Sequence, residues 1–352
     1  MLDFLSEYGM FLLKTATVLI AFVLMASGAV TAIRRGRRSE TEQLNVWKLN
    51  KHFDELRDVL QDELLSPAER KKAFKEKKKH NKQEKKEDKL KAKNLEKKKR
   101  GKRRVFVLNF KGDVWASSVH ALREEISALL PVVQKNDEVV VRLESGGGVV
   151  HDYGLAASQL KRLRSKKVKL TILVDKIAAS GGYMMACVAD KLIAAPFAII
   201  GSIGVLAEMP NFNRLLKKLD IDYEQITAGE YKRTLTVFGQ NTKEAREKMV
   251  DQLEDIHLLF KDFIREHRPK VQIENVATGE YWHGTRALEL GLIDGTQTSD
   301  DYLLNSCKTA DVYEIEYKAR ESVREKIVHG LEQAASGTIM KIWERMEQKR
   351  YL

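Results

Sequence analysis

The stretch KLTILVDKIAASGGYMMACVAD, residues 169–190, changes character at Ser180. KLTILVD is an apolar run of strand length, and GGYMMACVAD is a run of small and apolar residues suited to a helix packed close against its neighbours. Ser180 at the junction is either a nucleophile or a small helix-capping residue that lets two elements approach. The local sequence leaves both readings open.

Working outward, similar runs recur: VFVLNF (105–110), VHALREEISALLPVV (119–133), EVVVRLES (138–145) and YGLAASQLKRLRS (153–165). The strand-like runs start about 30 residues apart with a helical pattern between them, the spacing of βαβ units and a parallel sheet. This spacing implies an α/β domain. In such sheets the working groups gather where strand ends lead into helices. Two loops stand out there: ESGGG (144–148), whose glycines can adopt positive φ and present bare N–H groups, and the junction at Ser180.

A serine hydroxyl attacks only if a base takes its proton and donors hold the oxyanion. Gly181 supplies an unshielded N–H beside Ser180 at a helix start. For the base, His151 follows the glycine loop but has Asp152 beside it and reads equally as a helix start. His120, His257, His267 and His283 fall in amphipathic or loop contexts. No local pattern selects among them.

The 352 residues, 43% apolar, bound the chain at about two domains. Of its 62 Lys and Arg, 20 fall between Arg70 and Arg104 against five acidic residues, so the net +12 is owed to this run and the remainder is slightly acidic. The run lacks interleaved aromatics, which argues against nucleic acid; it reads as a solvated helix or disordered tether, or else as a segment that contacts anionic lipid. Cys187 and Cys307 lack metal-ligand spacing, which argues against a disulfide framework or a zinc site. At the amino terminus, TATVLIAFVLMASGAVTAI (15–33) carries no charge, and 19 helical residues span about 28 Å. Lys14 on one side and Arg34, Arg35, Arg37 and Arg38 on the other complete a single-pass anchor that meets lipid through residues 10–38. By the positive-inside rule the arginines favour the cytoplasm for the chain beyond residue 38, while the side on which the peptidase domain lies stays open between cytoplasm and periplasm. LNVWKLNKHFDELRDVLQDELL (44–65) has helical spacing and predicts a juxtamembrane helix. TKEAREKMVDQLEDIHLLFKDFIREHR (242–268) predicts a long amphipathic one, ATGEYWHGTRALELGLID (277–294) a strand, helix and turn, VYEIEY (312–317) a last strand, and the tail around IMKIWERM a peripheral helix.

ESGGG, the block DKIAASGGYMMACVADKLIAAPFAIIGSIGV (175–205) and TAGEYKRTLT (227–236) together resemble the signal peptide peptidase A family of serine peptidases, most closely its membrane-bound members, over residues 1 to about 317. The resemblance implies a spiral fold shared with Clp protease subunits and crotonases. It implies a Ser-Lys dyad in which Ser180 is the nucleophile and Lys232, in GEYKRT, the general base. Ser202 of GSIGV is either a supporting residue that orients the amine or a simple turn serine, and the oxyanion is expected between the N–H of Gly181 and that of Gly147 or Gly148. No cofactor or metal is called for. One departure is visible: Gly146 stands where the family usually has proline. The expected layout is an anchor (1–38), a juxtamembrane helix and lysine-rich linker (39–104), a ClpP/crotonase-like peptidase domain (105–317) and a helical tail (318–352). The expected activity is cleavage of unfolded apolar peptides or membrane-protein segments at the bacterial inner membrane, by a homo-oligomer with Lys and Ser in one chain. Two rivals remain: a crotonase-like acyl-CoA enzyme, which needs carboxylates in its cleft, and a membrane scaffold acting through its basic tether.

Overall fold

The computed structural model describes residues 43–66, 69, 70, 75 and 103–318. The anchor expected at 15–33, the lysine-rich run over 76–102 and the helical tail after 318 lie outside them. Among the described residues no helix is long and apolar enough to cross a membrane. The chain divides into a compact unit, Asn45–Glu316, and a second made of the two chain ends, of which only Gln43, Leu44, Tyr317 and Lys318 are described. The larger unit contains Ser180 and every other residue of the motifs around it.

In chain order the elements are β1 (Gln43–Lys48), α1 (Leu49–Leu64), β2 (Arg104–Gly112), α2 (Val119–Leu129), β3 (Glu138–Ser145), α3 (Val150–Ser165), β4 (Lys169–Val174), β5 (Ile177–Ala179), α4 (Gly181–Ala186), β6 (Lys191–Ala194), β7 (Ile199–Gly201), α5 (Asn213–Lys218), α6 (Lys243–His267), α7 (Ile273–Val276), β8 (Tyr281–His283), α8 (Gly284–Glu289), β9 (Gly295–Thr296), α9 (Ser299–Thr309) and β10 (Asp311–Lys318). The expected alternation of strands and helices from residue 105 is present. One expectation is corrected: the helix read from Leu44 begins only at Leu49, because Gln43–Lys48 joins the sheet as β1. The turn between them is fixed by Asn50, whose amide nitrogen donates to the carbonyls of Cys307 and Ala310 while its oxygen accepts from Val312 N–H.

The sheet runs β1-β10-β2-β3-β4-β6-β9, and β5, β7 and β8 branch from it. Neighbours from β10 to β9 are parallel, whereas β7 and β8 are antiparallel. The branch starts within β3. Its residues Glu138–Arg142 pair with Lys169–Leu173 of β4, but Ser145 pairs with Ala178 of β5. Two residues, Asp175 and Lys176, carry the chain from one branch to the other.

Alternation along β3 explains its nearly continuous apolar sequence. Val139, Val141 and Leu143 face the large core under α2, α3 and α4, and Val140 faces a smaller core with Val107, Leu173, Ile193, Leu303 and Val312 under α9. A strand buried on both faces has no polar side to show. Glu138, 1% exposed, is the exception at the strand's start, and it is paired in full: Thr171 and Tyr302 donate to it at 2.6 and 2.8 Å, Lys169 lies at 3.1 Å and Arg103 completes the ring. Burial pushes its carboxyl up, but the hydrogen bonds and the lysine outweigh burial and leave it below the ordinary glutamate value.

The long helix α6 starts on Thr242, whose hydroxyl accepts from Ala245 N–H. It ends at Arg268, which grips Asp294 through two 2.8 Å hydrogen bonds. Near that end Phe260 and Ile264 are buried against the core.

Candidate active site

Ser180 sits between β5 and α4 with φ 51° and ψ −121°, a conformation rare outside glycine. Its N–H donates to Gly201 O at 2.8 Å, extending the ladder in which Ala179 opposes Gly201. Its carbonyl accepts from Met184 N–H at 3.0 Å and so begins α4. A residue tied both to a strand and to a helix is forced into the sharp turn between them.

The close packing suspected at this junction is the work of the two glycines behind the serine. A Cβ on Gly181 would lie 2.5 Å from the Tyr153 ring, and one on Gly182 would lie 2.5 Å from Ser145 O. Packing therefore accounts for Gly181 and Gly182 and leaves the strain and partial exposure of Ser180 unexplained by it. With six residues α4 is too short for its dipole to matter much; what it offers is the N–H of Gly181.

The glycine loop reaches the same point from β3. Gly147 has φ +88°, and a Cβ there would lie 2.7 Å from both the Gly181 nitrogen and the Ser180 Cβ. Gly148 packs on backbone, since its Cβ would fall 2.1 Å from Val114 O. Gly146 is different: its Cβ would meet only Ile177, at 3.8 Å, so this position has room for a Cβ.

A chain of hydrogen bonds holds this loop. Gly147 N–H donates to Ser145 Oγ at 3.1 Å, and Ser145 Oγ lies 2.6 Å from Tyr153 Oη. Tyr153 spends its one proton on Asp113 O at 2.6 Å, so Ser145 must donate to Tyr153. Ser145 and Tyr153 are buried, and burial raises the tyrosine's pKa above its ordinary value. Because Gly147 N–H is spent on Ser145, Gly148 and Gly181 remain the better placed donors.

Ser180 and Gly181 open into a small hollow of about 20 Å³, walled by Val150, Met184, Val205, Ile256 and Phe260 together with Gly148 and Gly204. Ser202 follows Gly201 in β7 as Ser180 follows Ala179 in β5, and Ala179 pairs with Gly201, so the two serines leave neighbouring strand ends. Ser202 also has positive φ, 51°, and its N–H donates to Glu280 O at 2.7 Å. Thus Ser180, Gly181, Gly147, Gly148 and Ser202 come together. Lys232 does not join them: it is exposed, in a turn where its N–H donates to Gly229 O at 3.2 Å, and it is absent from the walls of the hollow. The histidines are no substitute. His151 is exposed beside Asp152, His267 and His283 lie against the carbonyls of Phe263 and Phe197, and neither His120 nor His257 reaches the walls. Sequence reasoning missed Tyr153, Ile256 and Phe260. Nothing local marks them, because each matters only through what it packs against.

Comparison with known proteins bears out the resemblance read from the motifs. Residues 3–160 match the family model Peptidase family S49 N-terminal, and residues 162–313 match Peptidase family S49. A protein of Haemophilus influenzae described as Probable protease SohB is 48% identical over 340 residues, 96% of each chain. Proteins of the same description from Buchnera aphidicola are similar too. One, from subspecies Acyrthosiphon pisum, is 56% identical over 70% of this chain and 73% of its own; another, from subspecies Schlechtendalia chinensis, is 48% identical over 86% and 100%.

Proposed function

The chain belongs to peptidase family S49, and we propose that it cleaves peptide bonds as a serine endopeptidase, with Ser180 as nucleophile and Lys232 as general base. The observation that carries this reading is Ser180 itself: a strained backbone that costs about 1–3 kcal/mol, held at the mouth of a hollow beside the N–H of Gly181. Such strain persists only where surrounding structure imposes it, and here it accompanies a partly exposed serine on the wall of the hollow.

In the proposed reaction Lys232 takes the proton of Ser180, whose oxygen attacks the peptide carbonyl. The oxyanion lies between the N–H groups of Gly181 and Gly148, and the protonated lysine delivers its proton to the leaving amine. Water then releases the acyl group by the same steps in reverse. Ser202, at the neighbouring strand end, orients the amine. The bare backbone of Gly146–Gly148 and of the segment after Ser202 suits an extended, unfolded peptide. The apolar walls of the hollow favour apolar segments of membrane or exported proteins. The branching sheet supports the spiral-domain expectation, and residues 15–33 would anchor the enzyme in the bacterial inner membrane.

The base must be brought to the hollow. Lys232 lies in the segment between β7 and α6, which also exposes Leu206, Phe212, Leu215, Leu219, Ile226 and Phe238. Apolar residues exposed in such number mark an association surface. A second copy of the chain is therefore the proposed source of the lysine, in place of the single-chain dyad expected from the sequence. The crotonase-like alternative gives the strain at Ser180 no task and finds no carboxylate on the walls of the hollow.

The test is covalent labelling by a fluorophosphonate, with hydrolysis of a fluorogenic apolar peptide, in wild type, Ser180→Ala and Lys232→Ala. Loss of labelling and turnover in both variants is expected. Variants that label and cleave like wild type would return Ser180 to a packing role.

A further inference from the structure

The turn between β2 and α2 displays two large apolar side chains on a rigid support. Val114 is 59% exposed and Trp115 66%. The support is fixed from within: Asp113 Oδ1 accepts from Trp115 N–H at 3.1 Å and from Ser117 N–H at 2.8 Å. Ala116 behind them is fully buried with φ 48°, an unusual conformation for alanine. Ser118 Oγ donates to Lys111 O at 2.7 Å, and Tyr153 Oη donates to Asp113 O. A backbone constrained in this way loses little further freedom when its side chains make a contact.

This turn adjoins the Ser180 site. Val149 N–H donates to Val114 O at 2.9 Å, and Gly148 packs directly on the Val114 backbone. Gly147, the next residue, packs on Ser180. Val150, itself exposed, is a wall of the hollow. Exposed apolar residues therefore flank the glycine loop, Val150 at the hollow and Val114 and Trp115 on the turn packed against Gly148. Asp113 O, through Tyr153 and Ser145, ties the position of this turn to that of Gly147.

We propose that Val114 and Trp115 form a subsite that takes a large apolar side chain of the peptide cleaved at Ser180, and so determine which peptides are cut. The inference rests on the serine-peptidase reading above and adds to it a residue-level source of specificity. The occupant is a substrate side chain because the turn packs on the glycine loop that meets Ser180, beside the backbone along which an extended peptide would run. A ledge of this kind recognises area and leaves a small side chain unheld.

The test uses the full-length protein and a set of alanine-based fluorogenic peptides with leucine or phenylalanine placed in turn at each position around the scissile bond. Wild type is expected to prefer the large side chain at one such position, and Trp115→Ala to lower kcat/KM for that peptide by about 10- to 100-fold while changing the all-alanine peptide by less than about threefold. Trp115→Phe should restore most of the preference, and Val114→Ser should reduce it. Labelling of Ser180 by a small fluorophosphonate should be the same in all of them, which shows that the catalytic groups are intact. Unchanged preference in Trp115→Ala overturns the proposal. Equal loss on all peptides with a change in sedimentation also overturns it, in favour of a contact between subunits. A wild type that neither labels nor depends on Ser180 removes the serine reading and the subsite with it, an outcome distinct from the other two.

Discussion

Gly147 and Ser180, 33 positions apart in the chain, touch so closely that a methyl group on the glycine would lie 2.7 Å from the serine Cβ. The same methyl would cover the nitrogen of Gly181, the donor proposed to hold the oxyanion, and Gly147 has φ +88° besides. Gly147→Ala should abolish fluorophosphonate labelling and destabilise the fold by about 1–3 kcal/mol. Gly146→Ala, with open space at its Cβ, should label normally and melt within about 2 °C of wild type. A folded, active Gly147→Ala would separate this loop from the chemistry.

Lys232 is exposed and outside the hollow, so two inactive variants should complement each other. Lys232→Ala is expected to lose about 100- to 10,000-fold in kcat, as for a missing general base. An equal mixture of Ser180→Ala and Lys232→Ala, unfolded and refolded together, should recover about a quarter of wild-type activity if neighbouring subunits in a symmetric assembly share each site. No recovery would place both groups in one chain.

The hydrogen-bond chain from Gly147 to Asp113 makes Tyr153 a positioning residue. Tyr153→Phe keeps the ring against Gly181 but leaves Ser145 and the Asp113 carbonyl without their partner, at a cost of about 1–3 kcal/mol, or several degrees in Tm. The loop then loses its tether, so kcat should fall while the pH at half-maximal rate stays where it was. Calorimetry and a pH profile of the variant check the two halves of this expectation.

Glu138 sets an acid limit on stability. Its carboxyl is held below the ordinary glutamate value in the fold, so the ionised form stabilises the native state. That contribution is complete above the unfolded value of about 4.3 and is lost as pH falls through the folded one. Asp294, also held low by Arg268 against the effect of burial, behaves the same way. Glu138→Gln should therefore lower Tm at pH 7 by several degrees and flatten the decline of stability below about pH 4. A variant whose acid unfolding curve matches that of wild type would show that the ring around Glu138 contributes nothing net.

The sequence by itself determined the strands and helices that announce themselves through local pattern. The runs around VFVLNF, EVVVRLES and KLTILVD, the helix over 243–267 and the last strand are apolar or periodic over enough residues to be read without a partner. The motifs around Ser180 and the glycine loop likewise sufficed for the family. Tertiary structure alone decided the rest. Strands β5 and β7 have three residues each and β9 two, too short for any period, and they exist because a neighbour supplies the hydrogen bonds. The change of partner along β3, the pairing of Ala179 with Gly201 that brings the strand ends before Ser180 and Ser202 together, and the contact of Gly147 with Gly181 are matters of register between distant segments. The strain at Ser180 belongs to the same class: no residue type announces a backbone at φ 51°, and only a strand, a helix and a packed tyrosine acting together hold it there.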